Sequence, residues 1–394
     1  MDRKTRILFI NRWRGTIGPN VWLEQVADQC LQKGLAVHVA SPWRDAFLDG
    51  LAARGAGIHV VDGIEWMPRS FNPLRHASHV WGGLHAAGDL AALARQIGAG
   101  AICFNGLNAL WLPRAGRLAG VPTGVVMHGT RLAGLGACNR LFFALQSRWV
   151  SRYLTVAEIS RQMLSVAGVD AEKIDVIPNG VDTERFRPTR AKTAVAKEFG
   201  IAAGSPVVGA VTHLEPRKGA HHLVAAMAQV AAAMPATRCV IVGAVTDGQD
   251  EPYAQRVRED IHRLGLTERV ILAGRRTDIP KVMNAFDLVV HPSQTEACPY
   301  SVLEAQACGK AVVGFRVGGM TEVVQDGQTG VLVPPYDEAA LAEAMIGLLR
   351  DPARCRRLGQ AGRRRVEREF NLQVNVQKVV VWLEGLCRGA GLPS

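Results

Sequence analysis

Residues 287–315 read DLVVHPSQTEACPYSVLEAQACGKAVVGF and contain a short apolar run, a polar loop, a helical pattern and a second short apolar run. A buried strand, a crossover helix and another buried strand form the repeating unit of parallel sheets, because parallel neighbours cannot be joined by a tight turn. The same alternation continues along the chain on both sides of this stretch. The sequence therefore predicts an α/β protein whose parallel sheets are covered by helices on both faces.

Apolar runs that are typical of buried strands fall into two sets. The first set is RILFI (6–10), AVHVA (36–40), GIHVV (57–61), GAICF (100–104), TGVVM (123–127), RYLTV (152–156) and IDVI (174–177). The second set is VVGAV (207–211), RCVIVG (238–243), RVILAG (269–274), DLVVH (287–291), AVVGF (311–315) and GVLVP (330–334). Between them, residues 186–205 contain proline, glycine and polar residues, a composition that is typical of a linker.

The two sets predict two doubly wound, Rossmann-like domains that face each other across a cleft. We place the first domain at 1–187 and the second at 188–370, and we expect the final helical pattern, 371–386, to pack back onto the first domain. A chain of 394 residues exceeds the size of one hydrophobic core, which favours the same division.

The composition predicts a soluble cytoplasmic protein. Hydrophobic residues make up 48% and charged residues 21% of the chain, and no apolar run approaches the roughly 20 residues that span a bilayer. The opening MDRKTRILFIN has neither a long apolar segment nor the small-residue cleavage site of a signal peptide. Eight cysteines without a CxxC pair indicate reduced thiols rather than disulfides or a zinc site.

The net charge of +11 favours anionic partners, such as nucleotides, phospholipid head groups and lipid-linked phosphates. Nucleic acid has the same sign of charge, but we expect no nucleic-acid partner. Basic and aromatic residues occur together at 63–85 and 139–152. This composition suits an anionic membrane surface or a phosphate-bearing acceptor, and it equally suits long side chains that cover an ordinary core.

Ligands of open parallel sheets bind beyond the carboxyl ends of the strands, so the residues just after each strand are candidates for a functional site. These candidates are Gly15, Gly18, His128, Gly129, Asn179, Gly180, His213–Gly219, Gly243, Gly274, Arg275 and Ser293–Glu304. At the end of TGVVM, His128 is placed to donate to a sugar hydroxyl, although a lone histidine is more often a satisfied rim residue.

The segment TEACPYSVLE (295–304) predicts a phosphate-binding helix start. Pro299 suits the first helical position, which leaves the backbone amides of Tyr300, Ser301 and Val302 as donors for a phosphate or diphosphate at the positive end of the helix.

Two glutamates lie on either side of this helix start. Glu296 precedes the helix and Glu304 lies inside it. Because carboxylates accept hydrogen bonds from hydroxyl groups, one acid could bind a transferred sugar and the other the ribose of a nucleotide. The alternative makes Glu296 a solvated loop acid and Glu304 a helix residue that the dipole favours.

The segment VTHLEPRKG (211–219) supplies the cations. His213, Arg217 and Lys218 put up to three positive groups where the next helix begins, which suits the neutralisation of a diphosphate leaving group. They could also be an ordinary polar helix entry, but basic residues at a helix N-terminus oppose the dipole.

With these motifs in place, the chain resembles the retaining glycosyltransferases of family 4, which have the GT-B fold. TEACPYSVLEAQACG looks like the E-x7-E signature of that family, EPRKG like its phosphate-binding lysine motif, and PNGVDTERFRP like its motif before the linker. GGMTEVVQDGQTGVLVPP (318–335) is similar to the segment that closes its nucleotide site.

The resemblance implies roles for individual residues. Lys218 would bind the donor diphosphate, Glu296 the transferred sugar and Glu304 the ribose, with His128 aimed at the donor sugar. The remaining donor-binding residues would be Gly18, His213, Arg217, Gly274, Arg275, Ala297, Cys298, Pro299, Tyr300, Ser301 and Val302. The donor would be a nucleotide-diphosphate sugar and the acceptor a glycan or a lipid-linked molecule.

Two positions depart from the family pattern, and one motif is absent. His213 stands where the family usually has an arginine, and Gly18 is followed by Pro19 instead of a second glycine. No D-x-D motif occurs in the sequence, so we expect no metal and no other cofactor, in agreement with the resemblance.

Two other classes of protein compete with this interpretation. A dinucleotide-dependent oxidoreductase could use two doubly wound domains, but no G-x-G-x-x-G follows the first strand. A catalytically inert subunit that only binds nucleotide sugars would keep the motifs without transfer, and His213 is the one feature that favours it.

Overall fold

The computed structural model describes residues 5–15, 17–64, 73–106, 110–129, 136–189, 192–245 and 250–389. The chain divides into two compact units, Met1–Pro178 with Val374–Ser394, and Asn179–Gln373. Each unit has its own parallel sheet and its own hydrophobic core, which confirms the prediction of two Rossmann-like domains.

Among the described residues, the first unit contains a seven-stranded parallel sheet in the order β3-β2-β1-β4-β5-β6-β7. Its strands are β1 Arg6–Ile10, β2 Ala36–Ser41, β3 Gly57–Val60, β4 Ala101–Asn105, β5 Thr123–Met127, β6 Arg152–Thr155 and β7 Ile174–Val176. The central strands carry apolar residues at nearly every position because helices cover both faces, and Ile7–Ile10, for example, are fully buried.

The second unit contains a six-stranded parallel sheet, again among the described residues, in the order β10-β9-β8-β11-β12-β13. Its strands are β8 Val207–Val211, β9 Arg238–Val242, β10 Val270–Leu272, β11 Leu288–His291, β12 Ala311–Phe315 and β13 Gly330–Val333. Every one of these strands lies within a run that the sequence predicts.

The helices that cover the sheets follow the strands in alternation. They are α1 Gly18–Gln32, α2 Ala46–Ala53, α3 Pro73–Ile97, α4 Arg114–Ala119, α5 Gly136–Gln146, α6 Glu158–Val166, α7 Lys192–Glu198, α8 Ala220–Ala233, α9 Glu251–Arg263, α10 Ile279–Ala285, α11 Tyr300–Ala307, α12 Met320–Val323, α13 Glu338–Arg350, α14 Pro352–Glu369 and α15 Leu372–Cys387. None of these described helices is both long enough and apolar enough to cross a membrane.

The boundary between the units lies between residues 178 and 179, earlier than the predicted 187. Hydrogen bonds of Val181 account for the difference, because its amide donates to the Phe370 carbonyl at 2.9 Å and its carbonyl accepts from the Leu372 amide at 3.1 Å. These bonds attach the segment to the end of the second unit. From Val374 onward α15 belongs to the first unit, where the Trp382 indole donates to Asp175 at 2.8 Å.

The strand order reverses once in each sheet, and this reversal positions the candidate site residues. In the first sheet β1 and β4 are neighbours, and in the second β8 and β11 are neighbours. At such a point the two following segments leave the sheet in opposite directions and open a crevice for a ligand. Asn11 and Asn105 lie at the first reversal, and Lys218 and Glu296 follow the strands of the second.

Candidate functional site

The centre of the site in the second unit is an ion pair between Lys218 and Glu296. The Lys218 Nζ lies 2.6 Å from the Glu296 Oε1, and the two side chains are only 16% and 8% exposed. The pair joins the segment after β8 to the segment after β11 across the strand reversal. Two residues that the sequence predicts as site members from separate motifs thus meet in the fold.

Gly219 allows these two segments to approach each other. Its φ of 71° lies in the left-handed region, and a Cβ at this position would be 2.0 Å from the carbonyl oxygen of Pro292. Only glycine can therefore end the short turn Pro216–Lys218 while the backbone of the β11 loop passes alongside. The Ser293 hydroxyl and the Gln294 amide also donate to the Arg217 carbonyl, at 3.2 and 2.9 Å.

Glu296 is an ionised carboxylate in spite of its burial. Loss of hydration by itself raises the pKa of a buried acid, but the Lys218 cation and a hydrogen bond from His291 hold the pKa of Glu296 well below its usual value. The His291 Nε2 lies 3.1 Å from the same Oε1 atom, and the Ser301 hydroxyl lies 3.3 Å from Nδ1.

His291 is a site residue that the sequence reasoning missed. It is the last residue of β11 and is only 4% exposed. The signal was present in DLVVH, because a polar residue ends an otherwise apolar strand five positions before Glu296. By holding Glu296 on one side while Lys218 holds it on the other, His291 fixes the carboxylate between them.

The start of α11 differs in one detail from the prediction. Pro299 is the N-cap, and the helix begins at Tyr300. The amide of Val302 donates to the Pro299 carbonyl at 3.2 Å, so it is not among the orphan donors that the sequence predicts. The first turn closes more tightly than in a regular α-helix and uses the Val302 amide internally.

Glu304 lies half-buried on α11 and differs electrostatically from Glu296. Burial raises the pKa of Glu304 to about 7, and the more distant charge of Arg185 offsets this only in part. At neutral pH a substantial fraction of the Glu304 side chain is therefore protonated in the ligand-free protein. A ribose diol that donates to this carboxylate would favour the ionised form.

We expect Glu304→Gln to stabilise the protein at pH 8 but not at pH 4. Because the pKa is raised in the folded state, the folded protein binds the Glu304 proton more tightly than the unfolded chain does. The contribution of Glu304 to the free energy of unfolding is therefore complete below about pH 4.5. It falls by up to about 3 kcal/mol as the pH rises towards 7. The glutamine variant lacks this loss, and thermal unfolding at the two pH values measures it.

The matched control for this prediction is Glu343→Gln, the same chemical change at an exposed position of α13. Its melting temperature should differ from that of the wild-type protein by the same small amount at both pH values. An unchanged difference between Glu304→Gln and wild type from pH 4 to pH 8 would contradict the electrostatic assignment of Glu304.

The other two basic residues of VTHLEPRKG, Arg217 and His213, differ from Lys218 in their surroundings. The Arg217 guanidinium is bonded to Glu215 at 2.6 Å. The pKa of His213 is lowered by burial and by the neighbouring charge of Lys218, so this imidazole is neutral at physiological pH. Of the three predicted cations, Lys218 is the one that pairs with Glu296.

A separate pair of loops lies beyond β9 and β10 and contains Gly243, Gly274 and Arg275, which the sequence predicts as candidate site residues. The Gly243 amide donates to the Gly274 carbonyl at 2.9 Å and ties the two loops together. Gly274 has a φ of 65°, in the region that favours glycine, and Arg275 next to it is exposed.

Two further backbone contacts fix the loop that carries Glu296. The Asn179 side chain, from the PNGVD motif, donates to the carbonyl of Cys298 at 2.7 Å. The Gly319 amide donates to the carbonyl of Glu296 at 2.8 Å, and a Cβ on Gly319 would be only 1.6 Å from the carbonyl oxygen of Ala297. Ala297 and Cys298 are buried, and burial raises the pKa of the Cys298 thiol to about 12. Their contacts with Asn179 and Gly319 are made by the backbone carbonyls.

In the first unit, His128 and Gly18 lie at the carboxyl ends of β5 and β1. The His128 Nε2 is 2.7 Å from the Asn105 Oδ1, and the His128 ring packs edge-on against Trp22 with centroids 5.3 Å apart. Gly18 is exposed and is the first residue of α1, ahead of Pro19. Asn105 is a second residue that the sequence reasoning missed, since it ends a strand that was predicted to stop one residue earlier.

The predicted membrane or acceptor surface is described only in part. Residues 65–72 lie outside the described residues, and the side chains of 73–81 and 136–139 are not described either. In the second predicted stretch, Arg140, Leu141 and Arg148 are exposed. Arg152 instead forms an ion pair with Asp175, at 2.5 Å, and is not available to a phosphate.

Within the described parts of the chain, no group of three or more histidine, cysteine, aspartate or glutamate side chains is arranged to hold a metal ion. The candidate site of the second unit contains Lys218, Glu296, Glu304, His291 and the turn before α11.

Comparison with known proteins identifies the family. A model of "Glycosyltransferase Family 4" matches residues 17–185, and a model of "Glycosyl transferases group 1" matches residues 191–365. A "2-deoxystreptamine glucosyltransferase" of Streptomyces kanamyceticus is 31% identical over 275 residues, which is 66% of this chain and 70% of that protein. The chain belongs to glycosyltransferase family 4.

Other relatives match over a shorter range. A "D-inositol 3-phosphate glycosyltransferase" of Nocardia farcinica is 38% identical over 208 residues, 52% of this chain. The match spans only 46% of the length of that relative.

A solved structure of a similar protein confirms the GT-B class of the fold. The Anabaena protein HepE in complex with UDP-glucose superposes with a TM-score of 0.83 and 25% identity, over 96% of this chain and 99% of that one.

Proposed function

We propose that this protein is a retaining glycosyltransferase that moves a hexosyl unit from a nucleotide-diphosphate sugar to a glycan or lipid-linked acceptor. The single observation that carries the proposal is the buried pair of Lys218 and Glu296 beside the start of α11, at the strand reversal where ligands of such sheets bind. Its cation suits a diphosphate, and its carboxylate suits sugar hydroxyls.

The family membership supports the choice of reaction. Relatives with 31% to 38% identity are named as glycosyltransferases, and the similar Anabaena protein has been crystallised with UDP-glucose. An inert nucleotide-sugar binder would need the same carboxylate and cation, and it differs from the proposed enzyme only by the absence of turnover. His213, which stands where the family usually has an arginine, is the site residue that favours the inert binder.

The proposed transfer breaks the bond between C1 of the sugar and the distal phosphate oxygen, which leaves with the bonding electrons. The acceptor hydroxyl supplies the oxygen of the new bond, and its proton passes to the departing phosphate oxygen. Negative charge therefore grows on the diphosphate as the bond breaks, and a fixed cation stabilises that charge more in the transition state than in the ground state.

Lys218 can perform this role because an ammonium group has three donors. In the ligand-free protein one of them is directed to Glu296, and the pair keeps the cation in place before the donor arrives. When the diphosphate binds, the remaining donors can reach its oxygens without breaking the ion pair. Glu296, held by His291 and Lys218, can accept hydrogen bonds from the sugar through its second oxygen.

We place the proposed reaction in bacterial cell-surface polysaccharide or glycolipid synthesis, without a metal or other cofactor, at the cytoplasmic side of a membrane. The positive charge of the chain and the exposed Arg140, Leu141 and Arg148 support contact with an anionic lipid surface. The acceptor panel in the following experiment therefore includes lipid-linked glycans in anionic vesicles as well as free glycans.

A thermal-shift screen with UDP, GDP and ADP sugars tests the proposal. We expect one nucleotide class to raise the melting temperature selectively, since a ligand that binds only the folded state stabilises it by mass action. With that donor and the acceptor panel, nucleoside diphosphate should be released and the anomeric configuration of the product should match that of the donor. Stabilisation without any release would indicate an inert binder, and inversion would refute a retaining transfer.

A further inference from the structure

The first unit contains a chain of three polar side chains at its strand reversal. Asn11 follows β1, Asn105 ends β4 and His128 follows β5. The Asn105 Nδ2 donates to the Asn11 Oδ1 at 3.0 Å, and the Asn105 Oδ1 lies 2.7 Å from the His128 Nε2. Asn11 and Asn105 are both fully buried, so water does not substitute for these bonds.

The orientation of the Asn105 amide is decided by its other neighbour. The Asn105 Nδ2 also donates to the Pro19 carbonyl at 3.1 Å. A carbonyl oxygen can only accept, so the NH2 group must face Pro19 and the oxygen must face His128. The Asn11 amide supports the same orientation. Its NH2 group donates to the Trp13 carbonyl at 3.2 Å, so its oxygen is the atom that accepts from Asn105.

This orientation decides which ring nitrogen of His128 carries the proton. The Asn105 Oδ1 accepts only, and therefore the His128 Nε2 must donate. Burial and the nearby charge of Arg12 lower the pKa of His128 to about 3, so the ring is neutral at physiological pH. A neutral ring with its proton on Nε2 has an unprotonated Nδ1, which can accept a hydrogen bond but cannot donate one.

We propose that Asn105 is a positioning residue that holds His128 in its Nε2–H tautomer and leaves Nδ1 as a hydrogen-bond acceptor. The sequence predicts a donor at His128, and the hydrogen-bond chain leaves an acceptor at Nδ1 instead. This tautomer is a property of the ligand-free protein.

Nitrogen-15 NMR of the histidine side chains tests the tautomer directly. At pH 7.5, the His128 signals, identified by their loss in His128→Gln, should show a proton on Nε2 that is protected from exchange, and an unprotonated Nδ1. In Asn105→Leu the Nε2 proton should exchange rapidly with water and the two nitrogen shifts should move toward a tautomer mixture. A proton on Nδ1 in the wild-type protein would overturn the proposal, whether or not any variant folds.

Asn20→Leu is the matched control for Asn105→Leu. Asn20 is also buried at this edge, and its amide donates to the carbonyls of Trp13 and Gly15, but it has no hydrogen bond to Asn105 or His128. The control should leave the His128 nitrogen shifts unchanged. If it moved them as far as Asn105→Leu does, the effect would be a general disturbance of the loop, and Asn105 would have no specific role.

Discussion

Lys218→Met should reduce the transfer rate by at least about a hundredfold, the loss typical when one preorganised donor to a developing charge is removed. The same change should also destabilise the second unit by about 3 kcal/mol. The reason is that the Glu296 carboxylate, 8% exposed, would keep its burial and lose the cation 2.6 Å away. Initial rates with the selected donor and urea unfolding measure the two effects.

The double variant Lys218→Met/Glu296→Gln separates the two effects. Removing both charges leaves no buried ion without a partner, so most of the lost stability should return. Activity should not return, because neither the cation for the diphosphate nor the carboxylate for the sugar is present. A Lys218→Met protein that kept its full rate with a diphosphate donor would contradict the role that we assign to Lys218.

Gly319→Ala should have the second largest effect, although the residue contacts no ligand in our proposal. A Cβ would lie 1.6 Å from the Ala297 carbonyl oxygen, and backbone cannot rotate away as a side chain can. The loop must therefore move, which also lengthens the bond from the Gly319 amide to the Glu296 carbonyl. We expect a loss of about 3 kcal/mol in unfolding free energy and a rate at least tenfold lower.

Gly347→Ala is the control for this change. Gly347 lies inside α13, where a Cβ would meet nothing within 4 Å. Alanine is the better helix former, so this variant should be more stable by roughly 0.5–1 kcal/mol and equally active. Equal stability and activity of Gly319→Ala and wild type would show that the loop tolerates displacement and that its tight packing does not position Glu296.

The sheets were predictable because parallel strands buried on both faces leave continuous apolar runs in the sequence. Each observed strand lies within a predicted run or ends one residue from it, as β4 does at Asn105. The polar residue at the carboxyl end of a strand is nevertheless the one that reaches the candidate site. A strand prediction based on hydrophobicity ends just before such a residue. Asn105 was missed for that reason, whereas His291 was counted within the predicted strand and therefore not among the loop residues.

Helix α14 was not predicted, and its composition explains why. The helix Pro352–Glu369 contains many arginines and lacks a broad apolar stripe. Two of the arginines act as caps for other helices: Arg363 donates to the carbonyl of Ala307 at the end of α11, and Arg365 donates to the carbonyl of Val323 at 2.6 Å. The contacts of these long side chains depend on tertiary structure, and a local sequence pattern does not contain them.

The sequence predicted which loops carry the site residues, but it did not predict the individual hydrogen bonds and ion pairs between them. The rule for carboxyl strand ends placed Lys218 and Glu296 at one edge, and the strand reversal makes them neighbours. Their ion pair, the bonding of Arg217 to Glu215 and the internal use of the Val302 amide depend on distances of a few tenths of an ångström. A spacing along the chain cannot supply such distances.

A crystal structure with the nucleoside diphosphate selected by the thermal screen tests the central claim most directly. We expect the Lys218 Nζ within hydrogen-bond distance of a phosphate oxygen, that phosphate against the turn before α11, and the Glu304 carboxylate on the ribose hydroxyls. A nucleotide bound elsewhere, with Lys218 still bonded to Glu296 alone, would contradict the account.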